Sequence, residues 1–243
     1  MSTEPPAKAI KPFDAHADRY ARNLRSLTTD EIARLHDARV LVAGCGGLGG
    51  HVIECLARTG VGTIVAIDCD AFEETNLNRQ LLATEDTLGK SKARAARERI
   101  ARVNPDVSII DKTIALDEGN VSDLIAGADC VIDALDNAHA RFLLARAANE
   151  TSIPVVYGAV AGWYGQVCTV LPGDAAFPFV YGDSNGESAH LKEGVLAPTA
   201  ACTAAFQASE AVKVLLGKTG LIRNRLLMID MLFGSCDDMD ITG

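Results

Sequence analysis

Three glycines, Gly44, Gly46 and Gly49, make G-x-G-x-x-G between an apolar run and a helix-like pattern in "VLVAGCGGLGGHVIECL", residues 40–56. Such a loop is built to hold phosphate. The first glycine permits a tight turn, the second lets backbone approach a phosphate, and the third lets helix and strand pack closely. The helix that follows offers open N–H groups and a positive dipole end. Asp68 ends the next apolar run, where a carboxylate can bind ribose hydroxyls. Alone, these features suit a nicotinamide dehydrogenase as well as an ATP-consuming enzyme. A glycine-rich turn without a ligand is the bland alternative.

The next residues separate these readings. "CDAFEETNLNRQLL" brings Asn76, Arg79 and Gln80, Lys92 opens a predicted helix, and "DALDNAHAR" sets Asp136 and Asn137 just beyond another strand. Two cations and an acid near one phosphate site suit a triphosphate with magnesium. Hydride transfer needs none of them. Each residue also has a duller reading. Arg79 could form a surface ion pair, and Asp136 could cap the helix that opens at Asn137. Lys92 shares its helix with Arg94, Arg97 and Arg99, which read as a solvated face. The five histidines lack metal-ligand spacing. Trp163 and Tyr164 read as core or partner-surface aromatics.

The elements that must position these residues alternate. Strands are expected at "RVLVAG", "TIVAID", "VSIIDKTI", "CVIDAL" and "IPVVYGAV". Helices are expected at "GLGGHVIECLARTG", "GKSKARAARERIARVNP", "SDLIAGA" and "NAHARFLLARAANET". This order predicts an α/β fold with a doubly wound, mostly parallel sheet, Rossmann-like, covered on both faces. "GQVCTVL" reads as an antiparallel strand, "PTAACTAAFQASEAVKVLLG" as a buried helix and "RLLMIDM" as the last strand, so the C-terminal extension is partly antiparallel. Ahead of the sheet, residues 14–22 and "TTDEIARLHDA" are expected to be helices. Residues 172–196 read as a long loop, the kind that is functional or mobile.

Composition narrows the class. The chain has 243 residues and a net charge of -9, which argues against broad nucleic-acid binding. The N-terminal residues lack the apolar core of a signal peptide, and no run is long enough to span a membrane, so a cytoplasmic location is expected. The seven cysteines include no C-x-x-C pair, which argues against a disulfide framework or a cysteine zinc site.

On these motifs the chain resembles the ThiF/MoeB/HesA family, relatives of the ubiquitin-activating enzymes. The matching stretches run from "RYARN" at Arg19 to "MIDM" at Met231. Between them stand "GCGGLGG", "IDCDAFEETNLNRQ", "GKSKA", "VNP", "ALDNAHAR", "GVLAP" and "ASEAVKVLLG". Members adenylate the C-terminal glycine carboxylate of a small ubiquitin-like sulfur carrier. The resemblance implies a single adenylation domain over residues 1–243. Residues 1–36 would be the N-terminal tail and helices, 37–160 the nucleotide-binding core, and 161–243 the carrier-binding part with a crossover loop near 172–196. It implies that Gly44, Gly46, Gly47 and Leu48 lie against ATP and that Asp68 holds the ribose, with Asp70 beside it. Asn76, Arg79 and Lys92 would contact the phosphates. Asp136 would hold magnesium, with Asn137 next to the nucleotide. Arg22 would reach into the neighbouring subunit's site in a homodimer. Arg79, Lys92, Asp136 and Arg22 are thus the implied catalytic set. No general base is required, because the attacking carboxylate is already ionised at pH 7.

The sequence departs from that family in two places. Many members carry two C-x-x-C pairs holding zinc. Here Phe179 and Gly182 stand at the first and Cys236 is alone at the second, so no zinc is expected. The crossover loop contains no cysteine, and Cys202, the nearest, reads as packing rather than a reactive thiol. The chain is therefore expected to stop at the acyl-adenylate, with a separate sulfur donor, in thiamine or molybdopterin cofactor biosynthesis. Two other readings stay open: adenylation of another carboxylate (a small molecule or a modified tRNA base), and an ATP-binding interaction module without chemistry.

Overall fold

A computed structural model describes residues 13–174, 180 and 193–241. Its strands are β1 (Arg39–Ala43), β2 (Thr63–Ile67), β3 (Ser108–Lys112), β4 (Cys130–Asp133), β5 (Val155–Ala161), β6 (Tyr164–Val170), β7 (Arg225–Asp230) and β8 (Ser235–Asp240). They form one eight-stranded sheet in the order β3-β2-β1-β4-β5-β6-β7-β8. Strands β1 to β5 pair in parallel, and β5 to β8 pair antiparallel. The helices are α1 (Thr29–Asp37), α2 (Gly49–Thr59), α3 (Lys92–Val103), α4 (Val121–Ile125), α5 (Ala138–Glu150) and α6 (Ala197–Leu215).

Alternation along each strand sends side chains into two cores. Val40 and Val42 of β1 pack with Val52 and Ile53 of α2, Ile100 of α3 and Ala204 of α6. Leu41 and Ala43 point the other way, to Ile125 of α4 and Leu144 of α5. Burial on both faces is why β1, β2 and β4 read as near-continuous apolar runs. Among the described residues, no helix is long and apolar enough to cross a membrane.

The strand order also places the chemistry. The chain leaves β1 for β2 and β3, then returns to β4 on the other side of β1. Ala43 lies level with both Ile67 and Asp133. The loops after β1, β2 and β4 therefore leave the same edge, at the switch point where open α/β sheets bind ligands.

Two expectations about elements need correction. Residues 14–22 are not a helix but carry a 3-10 turn at Asp18–Tyr20, with a second at Asn23–Arg25. Tyr20 is fully buried and its hydroxyl accepts from Asn104 Nδ2 at 3.0 Å. Arg19 donates to Asn104 Oδ1 at 2.6 Å. The segment follows these tertiary anchors rather than a local hydrogen-bond ladder. "RLLMIDM" is not the last strand, because β8 follows it. The sequence "SCDDMD" lacks an apolar pattern because every residue of this edge strand is exposed. Its pairing with β7, not burial, makes it a strand. Most of the expected crossover loop, at 175–179 and 181–192, lies outside the described residues, as do Phe179 and Gly182 of the zinc expectation.

Candidate active site

A cleft of about 690 Å³ opens at the switch-point edge, lined by Gly44, Gly46, Gly47 and Leu48 from the first loop. Asp68 and Asp70 line it after β2, Arg79 and Gln80 from the following turn, Lys92 from α3, and Asp136 and Asn137 after β4. Five separate stretches of sequence thus meet in one cavity. Gly44 takes φ +91, and a Cβ there would lie 2.6 Å from Ala134 O, so the glycine loop rests directly on the loop after β4. The N-terminus of α2 has no side-chain cap. The Gly50 amide donates to Gly46 O at 3.1 Å, and the positive end of the helix is turned to the glycine loop.

Asp68 is built into this loop. Its carboxylate accepts the Cys45 amide at 2.7 Å and the Asp70 amide at 2.8 Å, one on each oxygen. Lone pairs remain on both oxygens for ribose hydroxyls. Burial pushes the Asp68 carboxyl above the ordinary aspartate range, although both amides and Lys92 pull it down. Nucleotide binding needs the ionised acceptor. Affinity should therefore be flat at neutral pH and fall on acidification, with a midpoint above that of a solvated aspartate. Calorimetric titrations across pH check this. Asp68→Asn should weaken binding and flatten the profile; an unchanged profile would remove Asp68 from ligand contact.

Lys92 is buried at the start of α3, where Ser91 caps the helix by accepting the Arg94 amide. Its ammonium donates to Asp70 Oδ2 at 2.9 Å. That hydrogen bond holds the Asp70 carboxyl below its usual range, against partial burial. The Asp70 side chain is 60% exposed, so water can replace Lys92 if the lysine turns to an incoming phosphate. Arg94, Arg97 and Arg99 are exposed, as expected, and paired with Glu98, Asp111 and Glu54. Arg79 differs from them. Its Nη1 donates to Thr75 O at 3.1 Å and Asn78 Oδ1 at 2.9 Å, with no carboxylate in ion-pair range among the described residues. Its Cγ lies 3.8 Å from where a Cβ on Gly47 would stand, which sets the arginine against the glycine loop.

Asp136 is exposed on the loop between β4 and α5. The helix cap is Asn137, whose Oδ1 accepts the Ala140 amide at 3.1 Å. The duller reading of Asp136 as the cap therefore gives way. Asp136 and Asp70 both line the cleft with hard carboxylate oxygens, the donor type that magnesium takes alongside phosphate oxygens. Asp68, Cys69 and Asp70 also lie within 4.8 Å of one another, but the thiol is a poor partner for so hard an ion.

Two expected site residues are not brought into the cleft. Asn76 is buried away from it, with Oδ1 accepting the Glu73 amide at 3.1 Å. Its carbonyl accepts the Arg79 and Gln80 amides at 3.2 and 3.0 Å. Asn76 thus shapes the turn that carries Arg79. Arg22 is exposed and lies outside the lining residues. Burial raises the Cys202 thiol pKa, which suits packing rather than thiolate chemistry. Trp163 and Tyr164 are 43% and 42% exposed, so they belong to the surface, not the core.

Other lining residues were given no role by the sequence motifs. Gln80 is 7% exposed and its Oε1 meets no donor among the described residues. Its place beside Arg79 is the one signal that could have marked it. Arg141, Tyr157 and Gln166 also line the cleft, and Tyr157 donates to Gln166 Oε1 at 3.4 Å. Arg141 closes the "ALDNAHAR" stretch, whereas nothing in the local sequence separates Tyr157 and Gln166 from packing residues.

The chain is similar to known proteins over most of its length. The profile of the ThiF family matches residues 20–242. The SAMP-activating enzyme E1 of Haloferax volcanii is 36% identical over 225 residues, covering 88% of this chain and 81% of that protein. The sulfur carrier protein ThiS adenylyltransferase of Bacillus subtilis is 35% identical over 189 residues, covering 76% and 56%. The molybdopterin-synthase adenylyltransferase of Escherichia coli is 33% identical over 226 residues, covering 87% of each chain. Among solved structures, E. coli MccB with ATP has a TM-score of 0.78 at 22% identity, covering 95% of this chain and 74% of that one. PaaA has a TM-score of 0.80 at 21% identity, covering 100% and 78%. Those two likenesses speak for the fold.

Proposed function

The chain belongs to the ThiF family of adenylyltransferases, and from that premise we propose that it adenylates the C-terminal glycine of a small ubiquitin-like sulfur carrier ending in Gly-Gly. The co-substrate is ATP, and the product carrier serves thiamine or molybdopterin cofactor biosynthesis. The observation that carries this reading is the meeting of an uncapped helix N-terminus, Asp68, Arg79, Lys92 and Asp136 in one cleft.

The chemistry follows from charge. A carboxylate oxygen of the carrier attacks the α-phosphorus. The bond from that phosphorus to the bridging oxygen breaks, and its electron pair leaves with pyrophosphate. Nucleophile and phosphate are both anionic, so the task is to screen repulsion and to stabilise the leaving charge. The α2 amides and Asp68 hold the nucleotide in place, while Arg79 and Lys92 face its phosphates. Asp136, with Asp70 near, would hold magnesium, which supplies further neutralising charge when bound.

The carrier surface proposed here is the C-terminal part, residues 161–243. Trp163, Tyr164, Leu232 and Phe233 are exposed there, Phe233 by 80%. The Met231 amide donates to Trp163 O at 2.9 Å, so the β5–β6 and β7–β8 turns stand side by side. A homodimer in which Arg22 serves the neighbouring site, and a separate sulfur donor, complete the proposal. The test is exchange of labelled pyrophosphate into ATP by purified protein with ThiS-like and MoaD-like carriers. Exchange should require a carrier with its terminal glycine. Exchange driven by a small acid or tRNA, or by nothing tried, would overturn the reading.

A further inference from the structure

The loop that presents Asp136 is tied down by a residue outside the site the sequence suggests. Arg141 lies on α5 with its side chain 15% exposed. Its Nη2 donates to Leu135 O and, at 3.0 Å, to Gly158 O of β5. Its Nη1 faces Asp133 Oδ2 at 3.5 Å, and the guanidinium carbon sits 5.1 Å from the Tyr157 ring centre. Asp133 is fully buried, and its Oδ1 accepts the Leu135 amide at 3.2 Å. Both the carbonyl and the amide of Leu135, the residue before Asp136, therefore end on the Arg141–Asp133 pair. On the other side, the Ala134 amide donates to Ala43 O at 3.0 Å.

The type of residue matters here. A guanidinium offers donors in fixed directions within one plane, so it can span a loop carbonyl, a strand carbonyl and a carboxylate at once. A lysine ammonium keeps the charge but not the fork. The arginine also sets a cation beside the buried Asp133 carboxylate. The cleft side of Arg141 lies over Tyr157, itself a lining residue.

We propose that Arg141, with Asp133, is a positioning residue that fixes residues 134–137 against β5 and so sets the place of the Asp136 carboxylate. The proposal rests on the adenylation reading for what Asp136 then does, but not for the latch itself.

The test uses Arg141→Lys and Asp133→Asn, with Arg146→Lys on the same helix as a control. Amide hydrogen exchange in the substrate-free protein reads the loop directly. In Arg141→Lys, exchange at 134–137 should quicken roughly tenfold while α2 and β1 keep their protection. Asp133→Asn keeps an acceptor for the Leu135 amide and should show a smaller change in the same direction. The magnesium concentration that half-saturates pyrophosphate exchange should rise about 10–100-fold in Arg141→Lys, as expected when support behind a metal ligand is lost. Arg146→Lys should match wild type in both. Unchanged hydrogen exchange at 134–137 would overturn the latch. A loosened loop with an unchanged magnesium requirement would overturn the positioning role, leaving Arg141 to fold stability alone. If wild type exchanges no pyrophosphate with any carrier, the adenylation reading falls, and hydrogen exchange still decides whether Arg141 holds the loop.

Discussion

Asp136→Asn is expected to cut carrier-dependent pyrophosphate exchange about 10²–10³-fold while largely keeping nucleotide binding. The substitution keeps size and shape but removes the charge that would hold magnesium. Loss of one such electrostatic element typically costs about 2.7–4 kcal/mol of barrier. The helix is spared, because Asn137 makes the cap through Ala140. Binding is spared too, because the glycine loop, Asp68, Arg79 and Lys92 line the same cleft without Asp136. Exchange rates and calorimetric ATP affinities, measured side by side, check the split. Exchange near the wild-type rate would show that Asp136 takes no part in the reaction. A matched loss of binding and exchange would show that it serves affinity rather than the transition state.

How much of this site could be read beforehand depended on where its information lies. Gly44, Gly46, Gly47, Asp68, Arg79, Lys92 and Asp136 were legible because each follows a strand or opens a helix in a short pattern, and the parallel topology gathers such loops at one edge. Asn76 is not among the lining residues, and its motif marks the turn but not the direction of the side chain. Its Oδ1 faces the Glu73 amide instead of the cleft. Arg141 closes the "ALDNAHAR" stretch, but its role was hidden for another reason. Its acceptors, Leu135 O and Gly158 O, are backbone atoms, one of them on β5. Their identity leaves no trace in residue type. Asp133 looks like a strand residue whose charge is unexplained until that guanidinium is seen beside it. At the level of the fold, burial made β1, β2 and β4 to β7 readable through apolar runs. The exposed edge strand β8 depends on its hydrogen bonds to β7, to which hydropathy is blind.

The third glycine of the loop makes the largest structural demand, and Gly49→Ala is expected to destabilise the whole protein. A Cβ at Gly49 would stand 1.7 Å from Gly44 O, 2.8 Å from Gly44 C and 3.3 Å from Val42 Cγ1. The first two are backbone atoms, so no rotamer change can relieve the contact. Gly44 cannot retreat easily either. Its amide donates to Ile67 O at 2.8 Å, and it already rests on the loop after β4. The first turn of α2 must withdraw from β1, opening the core where Val42 meets Val52 and Ile53. Overpacking a core usually costs about 1–3 kcal/mol, and a clash of backbone on backbone belongs at or above the top of that range. At about 2–4 °C per kcal/mol for a chain of this size, the melting temperature should fall by roughly 6–12 °C or more. Gly47→Ala is the matched control. Its Cβ meets nothing closer than 3.8 Å, from Ala200 and Arg79, so melting should stay within about 2 °C of wild type. That same methyl would stand between the loop and an incoming phosphate, and nucleotide affinity should fall. Thermal unfolding and ATP titration of the two variants thus separate the glycine needed for packing from the glycine needed for access. If Gly49→Ala melts with wild type, the close approach of α2 to β1 is not what the third glycine provides.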